Sequence, residues 1–290
     1  MLTGILLTLA AAACFEGSYV LQALEVRAVP TMSRASIGAL VSLAARPVWL
    51  VSIALSLAGF ALEVLALRHA PLSLVQPLLA TGLLGLLAFS ATVLKEPVGR
   101  REIGGVVAIL AGVTFIALAD PQRGTHDEPG LAFLLAGATL ALVALSAFVL
   151  RRPGSGGLLA GAIAADALGA LAAAEAARAL PDVLSTAAWC ALAAAGGVAA
   201  VAAESAVLQR RGAARVAPIV LAGQVAVPVA LAPLVIGERW GSAGVLVCGL
   251  ALVIAGSALL ASSPGVSRLA GGTQPEDEIG GLREVGDRAV

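Results

Sequence analysis

Apolar residues in this chain come in long unbroken runs rather than in alternation with polar ones. The runs cover about Leu2–Leu24, Pro47–Leu67, Leu72–Leu94, Ile103–Ala119, Gly130–Leu150, Gly156–Ala177, Val183–Leu208, Val216–Ile236 and Gly241–Ala261. A helix of about 20 apolar residues crosses a hydrocarbon core of about 30 Å. The pattern therefore predicts an all-α polytopic membrane protein of about nine transmembrane helices. Continuous runs exclude a transmembrane β-barrel, whose strands alternate. The first run has no charged segment before it and contains Glu16, so it reads as a retained span rather than a cleaved signal. Ile37–Ala45 is mildly apolar and too short to cross, and reads as an interfacial or re-entrant helix. Ser262–Val290, rich in Gly, Pro and charge, reads as a disordered tail.

The polar positions between the runs predict an orientation. Connections after odd-numbered spans hold Arg27, Arg34, Arg46, Lys95, Arg100, Arg101, Arg151, Arg152, Arg210, Arg211 and Arg215, eleven positive charges. Those after even-numbered spans hold four, at Arg68, Arg123, Arg178 and Arg239. Positive connections stay cytoplasmic, which predicts an outside amino terminus and a cytoplasmic carboxyl terminus. A tenth span through Ile37–Ala45 would split the arginines of the first connection across the membrane.

Composition agrees: 59% of residues are hydrophobic and 12% charged, about half the charge of a soluble domain. Arginine far outnumbers lysine and alanine is abundant, a usage associated with GC-rich bacterial genomes and hence a bacterial inner membrane. The formal net charge is zero, so nothing attracts nucleic acid in general. Cys14, Cys190 and Cys248 fall inside apolar runs without metal or redox spacing, and read as small buried hydrophobes. His69 and His126 fall in connections. No Ser/His/Asp arrangement, P-loop or GxGxxG is present, so an enzyme is not expected and no cofactor is implied.

What does call for chemistry is a set of carboxylates inside the runs: Glu16, Glu63, Asp166 and Glu204. An acid at membrane depth costs several kcal/mol unless it meets a polar partner or water (roughly 2.5–3.5 kcal/mol on insertion scales). Structural hydrogen bonding to a neighbouring helix is the plain alternative for Glu63, and snorkelling to water for Glu204, one turn from its helix end. Gln22, Ser73, Gln76 and Gln224 add polar side chains to the candidate path. Pro71, Pro77, Pro218, Pro228 and Pro233 disrupt helical hydrogen bonds where they lie inside spans, and Pro77 beside Gln76 is the break most suited to a substrate. Gly104, Ala108 and Gly112 form a small-residue face for helix packing, within the chain or in a homodimer.

The chain also echoes itself. Glu63, Leu67 and Pro77 recur as Glu204, Leu208 and Pro218, 141 residues later. Leu94-Lys95-Glu96 is matched, one residue out of step, by Ile236-Gly237-Glu238. Trp49 and Trp189 precede the two glutamates by 14 and 15 residues. Spans two to four would then be inverted relative to spans seven to nine, a common plan of secondary transporters. This divides the chain into a first half (1–120), a polar loop with a linking fifth span (121–153), a second half (154–261) and a tail (262–290).

The stretches Gly59–Leu79 and Leu94–Val113 resemble the drug/metabolite transporter superfamily, and most of all its EamA/NIPA-like branch. Ala70, Pro71, Ser73, Leu74, Val75, Pro77, Leu78, Glu96, Arg100, Arg101 and Gly104 stand at that branch's pattern positions. Gly17 with Val20-Leu21-Gln22, and Arg46-Pro47-Val48-Trp49, resemble its first two span entries. In the second half the resemblance is carried by Pro218 and Gly237-Glu238-Arg239. The resemblance implies transport, with magnesium as the substrate of the eukaryotic branch. Mg²⁺ takes oxygen ligands and keeps several waters, so Glu16 and Glu63, with Gln76, would make its path. The same acids could instead exchange protons in an exporter of a small organic metabolite or drug. Only 3% of residues are aromatic, which suits a small polar or ionic substrate better than a promiscuous drug pocket. A non-transporting scaffold or receptor is the third reading, and predicts that the embedded acids can be replaced without effect.

Overall fold

The computed structural model describes residues 1–27, 46–92, 99–124, 131–149, 155–211 and 213–261. The segment Ile37–Ala45, expected to be interfacial or re-entrant, Lys95-Glu96, His126, Arg151-Arg152 and residues 262–290 lie outside them. The described elements are helices α1 (Leu2–Arg27), α2 (Pro47–His69), α3 (Leu72–Leu79), α4 (Gly82–Thr92) and α5 (Arg100–Leu118), then strand β1 (Pro121–Gln122). Helices α6 (Leu131–Val149), α7 (Ser155–Ala179), α8 (Val183–Arg211) and α9 (Ala213–Val235), strand β2 (Arg239–Trp240) and helix α10 (Ala243–Ala261) follow.

Six of these helices (α1, α2, α5, α7, α8 and α10) are long and apolar enough to cross a membrane. The other three expected spans fall on shorter apolar stretches, Leu72–Gly85, Leu134–Ser146 and Ile219–Val235. Leu57, Val107, Leu142, Val198 and Val247 are exposed on the outside of the bundle. Such a surface suits hydrocarbon and would be costly in water. The chain is an all-α membrane-embedded protein.

The third run is not one helix. Pro77 has no N–H to give, and one turn later the chain tightens at Ala80–Thr81. The N–H groups of Thr81, Leu83 and Leu84 bond the carbonyls three residues back, and Thr81 Oγ1 bonds Leu78 O at 2.6 Å. Gly82 then starts α4. Proline alone does not cause this, since α9 runs unbroken through Pro218, Pro228 and Pro233. The connection before α3 is as the sequence predicts: Ala70 and Pro71 are extended, and the chain reverses there.

Helix α7 is the hub. Two thirds of its apolar window is buried (67%), against 22–33% in the five other long helices. It packs on α8, α6, α9, α2 and α3. Its run of Ala and Gly makes this possible, because lipid-embedded helices gain most from backbones that approach closely. The principal pairs are α7 with α8, α5 with α10 and α1 with α2. In the α5–α10 pair, Gly112 meets Gly249 and Gly105 meets Gly256, each against the other's carbonyl. The expected face was Gly104, Ala108 and Gly112. Gly104 is in fact exposed with open space beside it, and Gly105 takes its place one residue on. The buried stripe Gly105–Ile109–Gly112–Ile116 follows the helical 3–4 spacing. The cysteines also differ from expectation: Cys14 and Cys190 are half-buried, while Cys248 is exposed on α10. A thiol is apolar enough for such a face.

Candidate functional site

The reversal at Ala70-Pro71 lays the last turns of α2 against the first turns of α3. Glu63 on α2 is 9% exposed and accepts a hydrogen bond from Gln76 Nε2 on α3 at 3.3 Å. Gln76 is 8% exposed, and Pro77 is buried beside it. Asp166, at the middle of α7, is half-buried and within electrostatic range of Glu63 and of Glu204 on α8. Glu204 is half-buried and also acts on Tyr19, one turn after Glu16 on α1. Glu16 packs over the α3–α4 break: a Cβ placed on Gly82 would lie 2.6 Å from its Oε1. The four predicted acids, from two helices of each half, are thus linked by electrostatic influence, Glu63 and Glu204 on Asp166 and Glu204 and Glu16 on Tyr19. Among the described residues, the charged groups acting on Asp166 are both acids, so it faces like charge there.

Other predicted residues are placed elsewhere. Gln22 Nε2 donates to Ser18 Oγ at 2.9 Å, and Ser18 bonds Ser52 O and Ser56 Oγ, tying α1 to α2. Gln224 is half-buried on α9. Among the described residues, no three of His, Cys, Asp and Glu come together as metal ligands would.

Ser73 belongs to a second polar cluster, at the end of the bundle that carries Arg68. Glu238 accepts hydrogen bonds from the N–H of Leu72, the N–H of Ser73 (3.1 Å) and Ser73 Oγ (2.5 Å). It is an N-terminal cap for α3 supplied from the far half of the chain, where a carboxylate meets unpaired N–H groups and a favourable helix dipole. Gly237, at φ 68, makes the turn that presents it, a conformation that favours glycine. Trp240 Nε1 donates to Ser73 Oγ at 3.1 Å. β1 and β2 pair antiparallel beside them. Arg178 bonds Ile236 O at 2.5 Å and Glu175 at 3.1 Å, and Arg123 bonds Arg68 O. Burial raises the pKa of the Glu238 carboxyl above the usual range, against its Ser73 and Leu72 donors and Arg178, which lower it. Arg123 is shifted down by burial and then by the positive Arg178 nearby.

Sequence reading did not single out this cluster. Its one signal was the Gly237-Glu238 pair, a glycine and an acid in a short connection, opposite a helix that opens with Pro71-Leu72-Ser73. All four connections with few positive charges meet at this end, and the start of α1 joins them, since Gly4 packs on Ala70. No family model matches the chain, and neither a curated protein nor a solved structure matches it.

Proposed function

We propose that the chain is a membrane permease of the drug/metabolite transporter type whose cargo is a small cation, with Mg²⁺ the one to test first. The observation that carries the reading is the set of embedded acids drawn from both halves, in which the charged groups acting on Asp166, among the described residues, are both acids. A scaffold gains nothing from like charges within range of one another at membrane depth, whereas a cation path needs them. Mg²⁺ holding most of its water asks for carboxylates spread along a path and not a tight cage. Glu16, Glu63 and Gln76 are its first ligands in this reading, with Asp166 and Glu204 further along.

The three shorter apolar stretches complete nine spans, with the amino terminus outside and the cluster around Glu238 at the outer face. Two features support an inverted repeat. The first residues of α3 and α9, Leu72 and Ala213, are 141 apart, like the repeated glutamates and prolines. The α1–α2 and α7–α8 pairs correspond, and the α5–α10 and α3–α9 contacts join equivalent helices of the two halves. Rocking of these halves would expose the path alternately to each side.

Proton-coupled export is the second reading, and the Glu63–Gln76 pair favours it. A carboxamide can donate to the ionised acid and accept from the protonated one, so the pair survives a proton cycle. Proteoliposomes loaded with a Mg²⁺ dye and, separately, a pH dye decide between the readings. Mg²⁺ entry that falls at least tenfold in Glu16→Gln and in Glu63→Gln is the expected result. Substrate-driven proton movement without Mg²⁺ flux would replace the first reading by the second. Wild-type silence across cations and metabolites would leave a scaffold. Gly82→Ala gives a finer check. The added methyl displaces the flexible end of Glu16, so half-saturation for Mg²⁺ should rise several-fold while thermal stability in detergent stays within about 1 kcal/mol.

A further inference from the structure

We infer that Glu238 is the latch of the gate at the Arg68 end, a carboxylate that holds the two halves shut by capping α3 and must leave it for the path to open there. The inference rests on the permease reading for its role in transport, and on the described contacts for its geometry. Glu238 crosses from the second half to the first and is 5% exposed. Its donors are the first two N–H groups of α3 and the Ser73 hydroxyl, and Trp240 completes the ring on Ser73. α3 is eight residues long and carries Gln76 and Pro77, so the cap and the acid path share one short rigid piece. The β1–β2 pair and the Arg178–Ile236 and Arg123–Arg68 bonds lie at the same end: the first joins the loop that follows the first half to the second half, the second ties α7 to the residue before the Gly237 turn, and the third holds that loop to the end of α2. Capping bonds of this kind can be released, because N–H groups at a helix terminus can be satisfied by water when the end opens.

The test reads accessibility, which a purely structural cap would not move well below the melting temperature. Leu74 and Val75, 1% and 0% exposed on α3, are converted singly to cysteine in a full-length chain whose three native cysteines are alanine. A membrane-impermeant maleimide is added to oriented proteoliposomes from the side of the Arg68 end. Glu238→Ala should raise the labelling rate of at least one reporter tenfold or more. Ser73→Ala, which removes two of the ring's bonds, should raise it by a smaller factor and serves if Glu238→Ala does not fold. A lock provides the opposite arm. Gln122 and Arg239 are cross-strand partners, within the Cα separation that a disulfide tolerates. Oxidised Gln122→Cys/Arg239→Cys, without a reporter cysteine, should stop flux, and a reductant should restore it. Unchanged labelling in folded Glu238→Ala and Ser73→Ala, or full flux through the oxidised lock, overturns the latch. Labelling that responds while the parent chain moves no cargo sinks the permease reading and leaves the latch as a closure.

Discussion

Asp166→Asn should reduce cation flux about 100-fold while leaving the protein as stable as the parent or more so. Asparagine keeps the shape and most of the hydrogen bonding of aspartate, and it removes the charge from the centre of the most buried helix. Hydrogen bonds to a charged group contribute about 1.5–3 kcal/mol, which is up to about 100-fold in a rate or an affinity. On the stability side the sign is reversed. Asp166 is within range of Glu63 and Glu204 and gains nothing from either in the resting fold. Neutralising it removes repulsion and the cost of keeping a carboxylate in a low-dielectric bundle. Flux in proteoliposomes and thermal unfolding in detergent, measured on the same preparation, check both halves. A stable Asp166→Asn protein with parental flux would remove the acid series from the mechanism.

Gly112→Val should lower stability by about 3 kcal/mol, the upper range for overpacking, or prevent assembly altogether. A Cβ at Gly112 would stand 2.6 Å from the Gly249 carbonyl and 2.7 Å from the Val253 nitrogen. Both are backbone atoms, so α10 must move away bodily, and valine adds two further methyls. The control is Gly104→Val, two turns away on the open side of α5, which should be tolerated. Melting temperature and monodispersity in detergent read the difference. If the two variants melt alike, the α5–α10 contact is not what holds that side of the bundle together.

These substitutions also mark what the sequence could reveal. Helix positions follow from the length of the apolar runs, because a bilayer fixes how long a span must be. Counting spans put Arg68, Arg123, Arg178 and Arg239 in the even-numbered connections, which the Arg123–Arg68 and Arg178–Ile236 bonds and the β1–β2 pair draw to one end. Acids in apolar sequence were conspicuous by their cost, so Glu63 and Asp166 could be named. Register on a helix was harder. Gly104 and Gly105 both lie in a small-residue context, and only the neighbouring helix decides which one faces inward. The break after Ala80 depends on Thr81 and Gly82 together, neither of which is unusual alone. Hardest to see was the role of Ser73, which was placed on the candidate path but bonds Glu238 and Trp240, more than 160 residues away. A hydrogen bond between distant connections leaves no periodic trace in either one.

The burial of α7 has a consequence for how the protein is made. A segment enters the bilayer from the translocon according to its own hydrophobicity, before its final neighbours are in place. α7 is built from alanine and glycine, contains Asp166 and ends in Glu175 and Arg178. Each alanine adds little to the drive for insertion, and a central aspartate opposes it by roughly 2.5–3.5 kcal/mol. The flanking α6 and α8 carry no acid at mid-helix. The segment that becomes the middle of the bundle thus enters lipid against the cost of its own central acid, and helices already placed beside it would lower that cost by giving the acid polar company.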